Sequence, residues 1–122
     1  MKRIQEDPER EDRIQNEAVV DAHNEEEQAM GWYYYIEDKL HCPFKAKCIS
    51  KRIISPLEQG EQIEVRGMAP EEECIKEIFV EIIWQGRKLA VPLAQLEQID
   101  ADKETEEAIE NWHYWVDRGY EY

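Results

Sequence analysis

The chain has 122 residues, and its 29 acidic against 15 basic side chains give it a formal net charge of −14. With 42% hydrophobic residues it can bury a core, which excludes a wholly disordered chain. The excess of acid repels phosphate backbones and anionic membrane surfaces, so we expect neither nucleic acid nor membrane as a partner. It favours cations, either metal ions or basic proteins. We expect one domain over 1–122, with 1–12 frayed.

Charge is unevenly distributed along the chain. Residues 1–28 hold 10 acidic and 4 basic side chains, whereas residues 29–67 hold 5 acidic and 6 basic ones. A near-neutral body is therefore flanked by acidic segments. No apolar run approaches the ~20 residues that a membrane span requires, and the charged N-terminus lacks the apolar stretch of a secretory signal. We therefore expect a soluble, cytoplasmic protein.

The three cysteines, Cys42, Cys48 and Cys74, are an odd number and too few for a disulfide framework. Reduced thiols that pack as small hydrophobic side chains are the simplest interpretation. A zinc site that combines these cysteines with His41 and His113 is the alternative. It is weakly supported, because the chain contains no C-x-x-C pair.

Helical periodicity marks the N-terminal third of the chain. Asp7 and Pro8 form a helix start, with Asp as the N-cap and Pro at the first helical position. An apolar stripe at every fourth residue predicts a helix over 8–28, which Gly31 interrupts. This stripe consists of Ile14, Ala18 and Ala22. A second short helix, ended by Pro43, is predicted from a stripe of Tyr33 or Trp32, Ile36 and Leu40.

After Pro43 the hydrophobic period changes to two, which is typical of strands. Strands are predicted at Phe44, Ala46 and Cys48, at Ile63 and Val65, from Cys74 to Trp84, and at Leu89 and Val91. Gln85 and Gly86 form a hairpin turn between the last two strands.

The C-terminal segment returns to helical periodicity. Asp100 or Asp102 can cap this helix, and Gly119 is placed to end it. A broad apolar face that packs on the sheet contains Ala108, Ile109, Trp112, Trp115 and Val116. The element order predicts an α+β fold. We expect a small antiparallel sheet, of the kind that can curl into an SH3-like barrel, with N-terminal helices and a C-terminal helix packed on it.

Enzymatic function is poorly supported by the motifs. The chain contains no G-x-S-x-G elbow and no glycine-rich phosphate loop, since its five glycines are isolated. A nucleophilic pair of Cys42 and His113 is compatible with the sequence, but no pattern requires it. We therefore expect a binding protein rather than an enzyme.

Carboxylate clusters are the informative feature, because calcium takes six to eight oxygen ligands in a flexible shell. The run Glu25–Glu27 is expected to be a solvated helix face, since consecutive helical side chains point in different directions. The run Glu71–Glu73 is expected in a loop, where the backbone can bend around an ion, although three loop glutamates do not require one. Asp38 is expected near the negative end of a helix dipole, where either a metal ion or a salt bridge to Lys39 would offset the repulsion.

The segment that starts at Asp100 matches an EF-hand loop in part. Asp100, Asp102 and Glu104 fit positions 1, 3 and 5. Thr105 stands where the loop requires glycine, and Asn111 stands where it requires a bidentate glutamate. We therefore expect no EF-hand, and helix capping alone explains both aspartates.

Four strings taken together resemble the cyanobacterial calcium-binding protein family. They are WYYYIEDKLHCPFKAKC at 32–48, GMAPEEEC at 67–74, LAVPLAQL at 89–96 and AIENWHYWVDRGY at 108–120. The resemblance runs from about residue 13 onward. It implies an intracellular calcium binder without an EF-hand, and a member of the family is linked to calcium control during heterocyst differentiation.

The resemblance also implies calcium ligands in an order of preference. Asp38, in the string IEDKL, comes first. Glu72 and Glu73, in the string GMAPEEEC, come second, and Asp100 and Asp102 come third. His41 and Cys42 stand where apolar residues are expected before the Pro-Phe pair. This departure from the family pattern concerns packing, and it leaves the candidate carboxylate ligands unchanged.

Two functions from different classes remain open from the sequence. The first is a calcium buffer or sensor that binds Ca²⁺ with clustered carboxylates. The second is an acidic interaction module that binds a basic partner without metal, through contacts that weaken with salt and ignore a chelator. Under either function, the sequence does not identify a regulatory protein partner.

Overall fold

The computed structural model describes residues 7–19, 24–74 and 76–118. The helices are α1 (Pro8–Glu17), α2 (Glu25–Lys39) and α3 (Lys103–Asp117). The strands are β1 (Phe44–Cys48), β2 (Gln62–Met68), β3 (Phe79–Trp84), β4 (Arg87–Pro92) and β5 (Leu96–Gln98). Short 3-10 turns at Glu71–Glu73 and Leu93–Gln95 precede β3 and β5. The predicted α+β class is confirmed.

The five strands form one antiparallel sheet in the order β4-β3-β2-β1-β5. The predicted alternation holds in β1, where Phe44, Ala46 and Cys48 are buried. Gln85 and Gly86 form the hairpin turn with φ of 52° and 77°, the left-handed conformation that such turns require. The order is compatible with an SH3-like barrel, but in the described part of the chain no pairing joins β4 to β5.

The helix predicted over 8–28 is wrong in its extent. α1 ends at Glu17, and α2 begins at Glu25. The side chain of Asn24 caps α2, because its Oδ1 accepts a hydrogen bond from the Glu27 backbone N–H at 2.9 Å. A cap of this kind stabilises a helix start by about 1 kcal/mol. Ala22 of the predicted stripe lies outside the described residues, as does Gly119.

Gly31 was predicted to interrupt a helix, and this prediction is wrong, because Gly31 lies inside α2. The end of α1 packs against it so closely that a Cβ on Gly31 would come 2.2 Å from the carbonyl oxygen of Ala18. Glycine costs about 1 kcal/mol in a helix interior relative to alanine. The close approach of the two backbones explains why it is nevertheless present there.

The strand predicted from Cys74 starts later, at Phe79. The Cys74 backbone N–H instead donates to the carbonyl of Glu71 at 3.0 Å and closes the 3-10 turn. Its thiol accepts a hydrogen bond from the Phe79 N–H at 3.3 Å. Cys74 therefore joins the turn to the strand instead of belonging to the strand. Ile75, predicted on one strand face, lies outside the described residues.

The core contains a cluster of three tryptophans that packs α3 against α2. The ring of Trp32 lies 5.0 Å from that of Trp112 and 5.7 Å from that of Trp115, measured between centroids. Trp32 and Trp112 are fully buried. The prediction that the tryptophans of α3 belong to the core is confirmed. Within the described ranges, no helix is both long enough and apolar enough to span a membrane.

Candidate metal centre

The end of α2 and the start of α3 lie side by side and bring charged groups together. Asp38 is in the last turn of α2, with its side chain 79% exposed. The Nζ atom of Lys39 lies 4.0 Å from Asp38 Oδ2 and 3.4 Å from Glu104 Oε2. The hydrogen bond to Glu104 raises the pKa of Lys39. We call Asp38, Lys39, His41, Asp102 and Glu104 the α2–α3 cluster.

Asp102 is the most constrained carboxylate of this cluster. Its Oδ2 lies 2.5 Å from His41 Nδ1, and its Oδ1 accepts a hydrogen bond from the Thr105 N–H at 2.9 Å, which caps α3. The hydrogen bond with His41 lowers the pKa of Asp102 to about 2 and raises the pKa of His41. His41 Nε2 also lies 3.6 Å from Glu104 Oε1. Each oxygen of Asp102 therefore has an internal partner.

Thr105 fixes the backbone that carries these side chains. It is fully buried, and its Oγ1 accepts a hydrogen bond from the His41 N–H at 2.9 Å and donates one to the Lys39 carbonyl at 3.0 Å. The end of α2 is thus bonded to the first turn of α3. The acidic side chains around it remain exposed, so a rigid backbone supports side chains that can rotate.

Asp100 has a different environment. Its Oδ1 accepts a hydrogen bond from the Lys45 backbone N–H at 2.7 Å, at the start of β1. Among the described residues, Asp100 is therefore hydrogen-bonded to the sheet and not to a member of the α2–α3 cluster.

The 3-10 turn Glu71–Glu73 presents three exposed carboxylates near α2. Tyr34 Oη donates a hydrogen bond to Glu71 Oε2 at 3.2 Å, and this bond raises the pKa of Tyr34. Glu71 and Glu72 line a surface depression of about 500 Å³ together with Glu26 of α2. We call this depression the α2 groove. Glu26, predicted to be merely solvated, is exposed but borders the groove.

Residues 12–116 match the Calci_bind_CcbP family, which is described as calcium binding. The chain belongs to this family. The solved structure of Anabaena CcbP is 42% identical over 100% of both chains, with a TM-score of 0.87. A calcium-binding protein in its calcium-binding form is 41% identical over 100% of both chains, with a TM-score of 0.86. No curated protein matches the chain. The resemblance found in the sequence is therefore confirmed.

In this member of the Calci_bind_CcbP family, the five predicted ligands do not form one group. Asp38 and Asp102 belong to the α2–α3 cluster, and Asp100 is bonded to β1. Glu72 and Glu73 lie on the 3-10 turn beside the α2 groove. Their assignment as ligands stays a prediction.

The sequence did not identify Glu104 and Glu26 as neighbours of the predicted ligands. The sequence places Glu104 in the partial EF-hand match and gives no reason to pair it with Lys39 or His41. Glu104 contacts Lys39 and His41, and Glu26 lines the same depression as two glutamates of the 3-10 turn. Both relations join segments distant in the chain, so no local spacing indicates them. The sequence presents His41 as a candidate zinc ligand and as a departure from the family string, and neither feature predicts its contact with Asp102.

The donor chemistry of both regions fits a hard divalent cation, because exposed carboxylates supply oxygen ligands. Across residues 7–19, 24–74 and 76–118, no three His, Cys, Asp or Glu side chains converge closely enough to hold a metal ion. In the α2–α3 cluster the carboxylates point at Lys39 and His41. Metal binding there requires rotation of these exposed side chains. The zinc alternative gains no support from the described residues, because none of their cysteines and histidines belongs to such a group.

Proposed function

We propose that this protein binds calcium through exposed carboxylates outside any EF-hand loop. The observation that carries the proposal is the similarity along the full chain to a calcium-binding protein in its calcium-binding form, at 41% identity. The oxygen-rich surface of the α2–α3 cluster and of the Glu71–Glu73 turn supports it. Calcium accepts irregular sets of oxygen ligands of this kind.

The position of α3 supports a site without an EF-hand. α3 begins at Lys103, so the segment from Glu104 to Asn111 is helical where an EF-hand would have its loop. Asn111 is buried, accepts a hydrogen bond from Arg10 Nη1 at 2.6 Å and donates one to Tyr35 Oη at 2.8 Å. A residue with these partners is structural and unable to complete a calcium shell.

We propose Asp38 and Asp102 as ligands in the α2–α3 cluster, Asp100 as a ligand at the start of β1, and Glu72 and Glu73 as ligands on the 3-10 turn. Asp38 is the first choice, because it is exposed and its nearest cationic partner, Lys39, is 4.0 Å away. Asp102 can release His41 from Oδ2 while Oδ1 keeps its capping bond to Thr105. The bound ion supplies two positive charges, which offset the repulsion among the carboxylates.

Isothermal titration of the chelator-treated protein with calcium tests this proposal. We expect binding heat, together with a melting temperature that rises with calcium concentration by mass action. Magnesium is expected to compete poorly, since it requires a smaller and more regular shell. The absence of both heat and any melting shift at millimolar calcium would overturn the proposal.

We propose a sensor role rather than a buffer role. Glu72 lies on the 3-10 turn that carries candidate ligands, and it also borders the α2 groove. Calcium at this turn therefore changes the charge beside the apolar side chains of the groove. Amide chemical shifts of Met30 and Tyr34 are expected to change on calcium addition. Changes confined to the ligand residues would indicate a buffer.

We also propose a cytoplasmic location. Cys42, Cys48 and Cys74 are all free thiols, as is typical of a reducing compartment. Imaging of a fluorescent fusion in the native host tests the location. Fluorescence in an extracytoplasmic compartment would contradict it.

A further inference from the structure

α2 is apolar on two faces, and only one of them is covered. Trp32 and Ile36 are fully buried against the core. On another face, Met30 and Tyr34 lie one helical turn apart and are 41% and 49% exposed. The charged side chains of α2 lie at its two ends, so only its central segment, 29–36, is apolar around most of its surface. A helical segment of that kind is normally covered on more than one side. The exposed face of α2 therefore has the character of a surface that receives another molecule.

The α2 groove gives this face a defined shape. Ala29, Met30 and Tyr33 form its apolar part, between α2 and the 3-10 turn. Tyr33 is held in place by a hydrogen bond from its Oη to the Ala69 carbonyl at 2.9 Å. The volume of about 500 Å³ lies within the range of pockets that bind small ligands or a few side chains. Methionine side chains are unbranched and adaptable, so Met30 suits a groove that receives apolar anchors of differing shape.

The rim of the groove is acidic. Glu26 stands on one side and Glu71 and Glu72 stand on the other, and no basic residue of the described chain lines the groove. An anionic membrane or a nucleic acid is repelled by such a rim. A second copy of this chain would bring another net charge of −14 towards it. The charge complement of the groove is a segment rich in Lys and Arg.

We propose that the α2 groove docks a short amphipathic segment of a partner protein, with apolar side chains that contact Met30 and Tyr33 and basic side chains that contact Glu26 and Glu71. This assigns the groove a function beyond calcium binding. The apolar part of the groove offers a place to bury an apolar anchor, and complementary charge at its rim supplies specificity and a fast association rate.

Calcium is coupled to this docking through Glu72, a consequence that rests on the proposed function. Calcium at the Glu71–Glu73 turn neutralises part of the rim, so the basic segment binds more weakly to the calcium-loaded protein. By linkage, the segment weakens calcium binding by the same factor.

The test uses the full chain and a fluorescent helical peptide of alternating leucine and lysine blocks, with binding followed by anisotropy in chelator. We expect Met30→Gln and Glu26→Gln each to weaken binding roughly fivefold or more, as removal of a contributing interface side chain does. Ile53→Gln and Asp12→Asn are the matched controls, because Ile53 is a fully exposed apolar side chain and Asp12 an exposed acid, both outside the groove. We expect the controls to bind as the parent protein does.

Equal losses in the groove variants and their controls would overturn the proposal, because they would show attraction to the net charge alone. Dimerisation of the protein without peptide, abolished by Met30→Gln, would also overturn it in favour of a second copy as the occupant. A repeat in calcium separates the two proposals. Peptide binding that depends on Met30 but is unchanged by calcium supports the groove and contradicts a calcium site at Glu72.

Discussion

Gly31 of α2 lies against the backbone of Ala18, the residue that ends α1, with no room for a side chain between them. A Cβ at this position would come 2.2 Å from the Ala18 carbonyl oxygen. This contact sets the distance between the two N-terminal helices, and it explains why a residue that disfavours helices stands inside one.

We therefore expect Gly31→Ala to lower the free energy of unfolding by about 1–3 kcal/mol, the usual cost of overpacking. The same change in an open helix raises it by up to about 1 kcal/mol, so the sign of the effect is informative. Urea unfolding measures it. Gly67→Ala is the control, since a Cβ on Gly67 would have no atom within 4 Å. Equal effects in the two variants would contradict the close contact.

Thr105→Val is expected to destabilise the junction of α2 and α3. Valine retains the shape of the buried side chain but leaves the Lys39 carbonyl and the His41 N–H without their partner. The expected loss is about 1–3 kcal/mol in the free energy of unfolding, measured by denaturant titration. Thr105→Ser keeps the hydroxyl and serves as control. If serine costs as much as valine, packing of the methyl group matters and the hydrogen bonds do not.

Asp38→Asn is expected to weaken the tightest calcium site by about tenfold or more, because calcium affinity depends on the number of charged ligands. Asp12→Asn removes the same charge from an exposed position on α1 and controls for the general field of the protein. Calcium titration calorimetry compares the two variants. Equal calcium affinities would remove Asp38 from the site.

The contact between His41 and Asp102 is expected to make stability depend on pH. The pKa of His41 is raised above 6.5, so its contribution is complete below pH 6.5 and disappears as the pH rises through the raised value. The pKa of Asp102 falls from 3.8 to about 2, so its contribution is complete above pH 3.8 and disappears as the pH falls towards 2. The pair stabilises most between these limits.

Melting curves of the parent protein and of His41→Gln, recorded across pH, test this expectation. The difference in melting temperature should be largest in mildly acidic buffer and should shrink in alkaline buffer. His113→Gln is a control of the same type on α3, where the ring bonds to the Leu96 carbonyl instead of a carboxylate. A difference for His41→Gln that is independent of pH would contradict an ionic role for the contact.

Local sequence patterns anticipated the sheet better than the N-terminal helices. The alternation of Phe44, Ala46 and Cys48 appears as alternate burial in β1, and Asp102 caps α3 as one of the two predicted choices. Alternation and capping depend on neighbours a few residues apart. The predicted N-terminal helix differs from the structure because Asn24 caps a new helix start and because Gly31, a helix-disfavouring residue, is retained inside α2 by its contact with α1.

The sequence by itself favoured a positively charged partner, because its net charge is −14. Its four family-like strings, taken together, also identified the calcium-binding family. Net charge and residue order are properties of the chain alone. Only the tertiary structure decided which charged groups meet. Asp102 faces His41 because the burial of Trp32 against Trp112 places the end of α2 beside the start of α3. Such contacts follow from packing between distant segments, and no spacing within either segment encodes them.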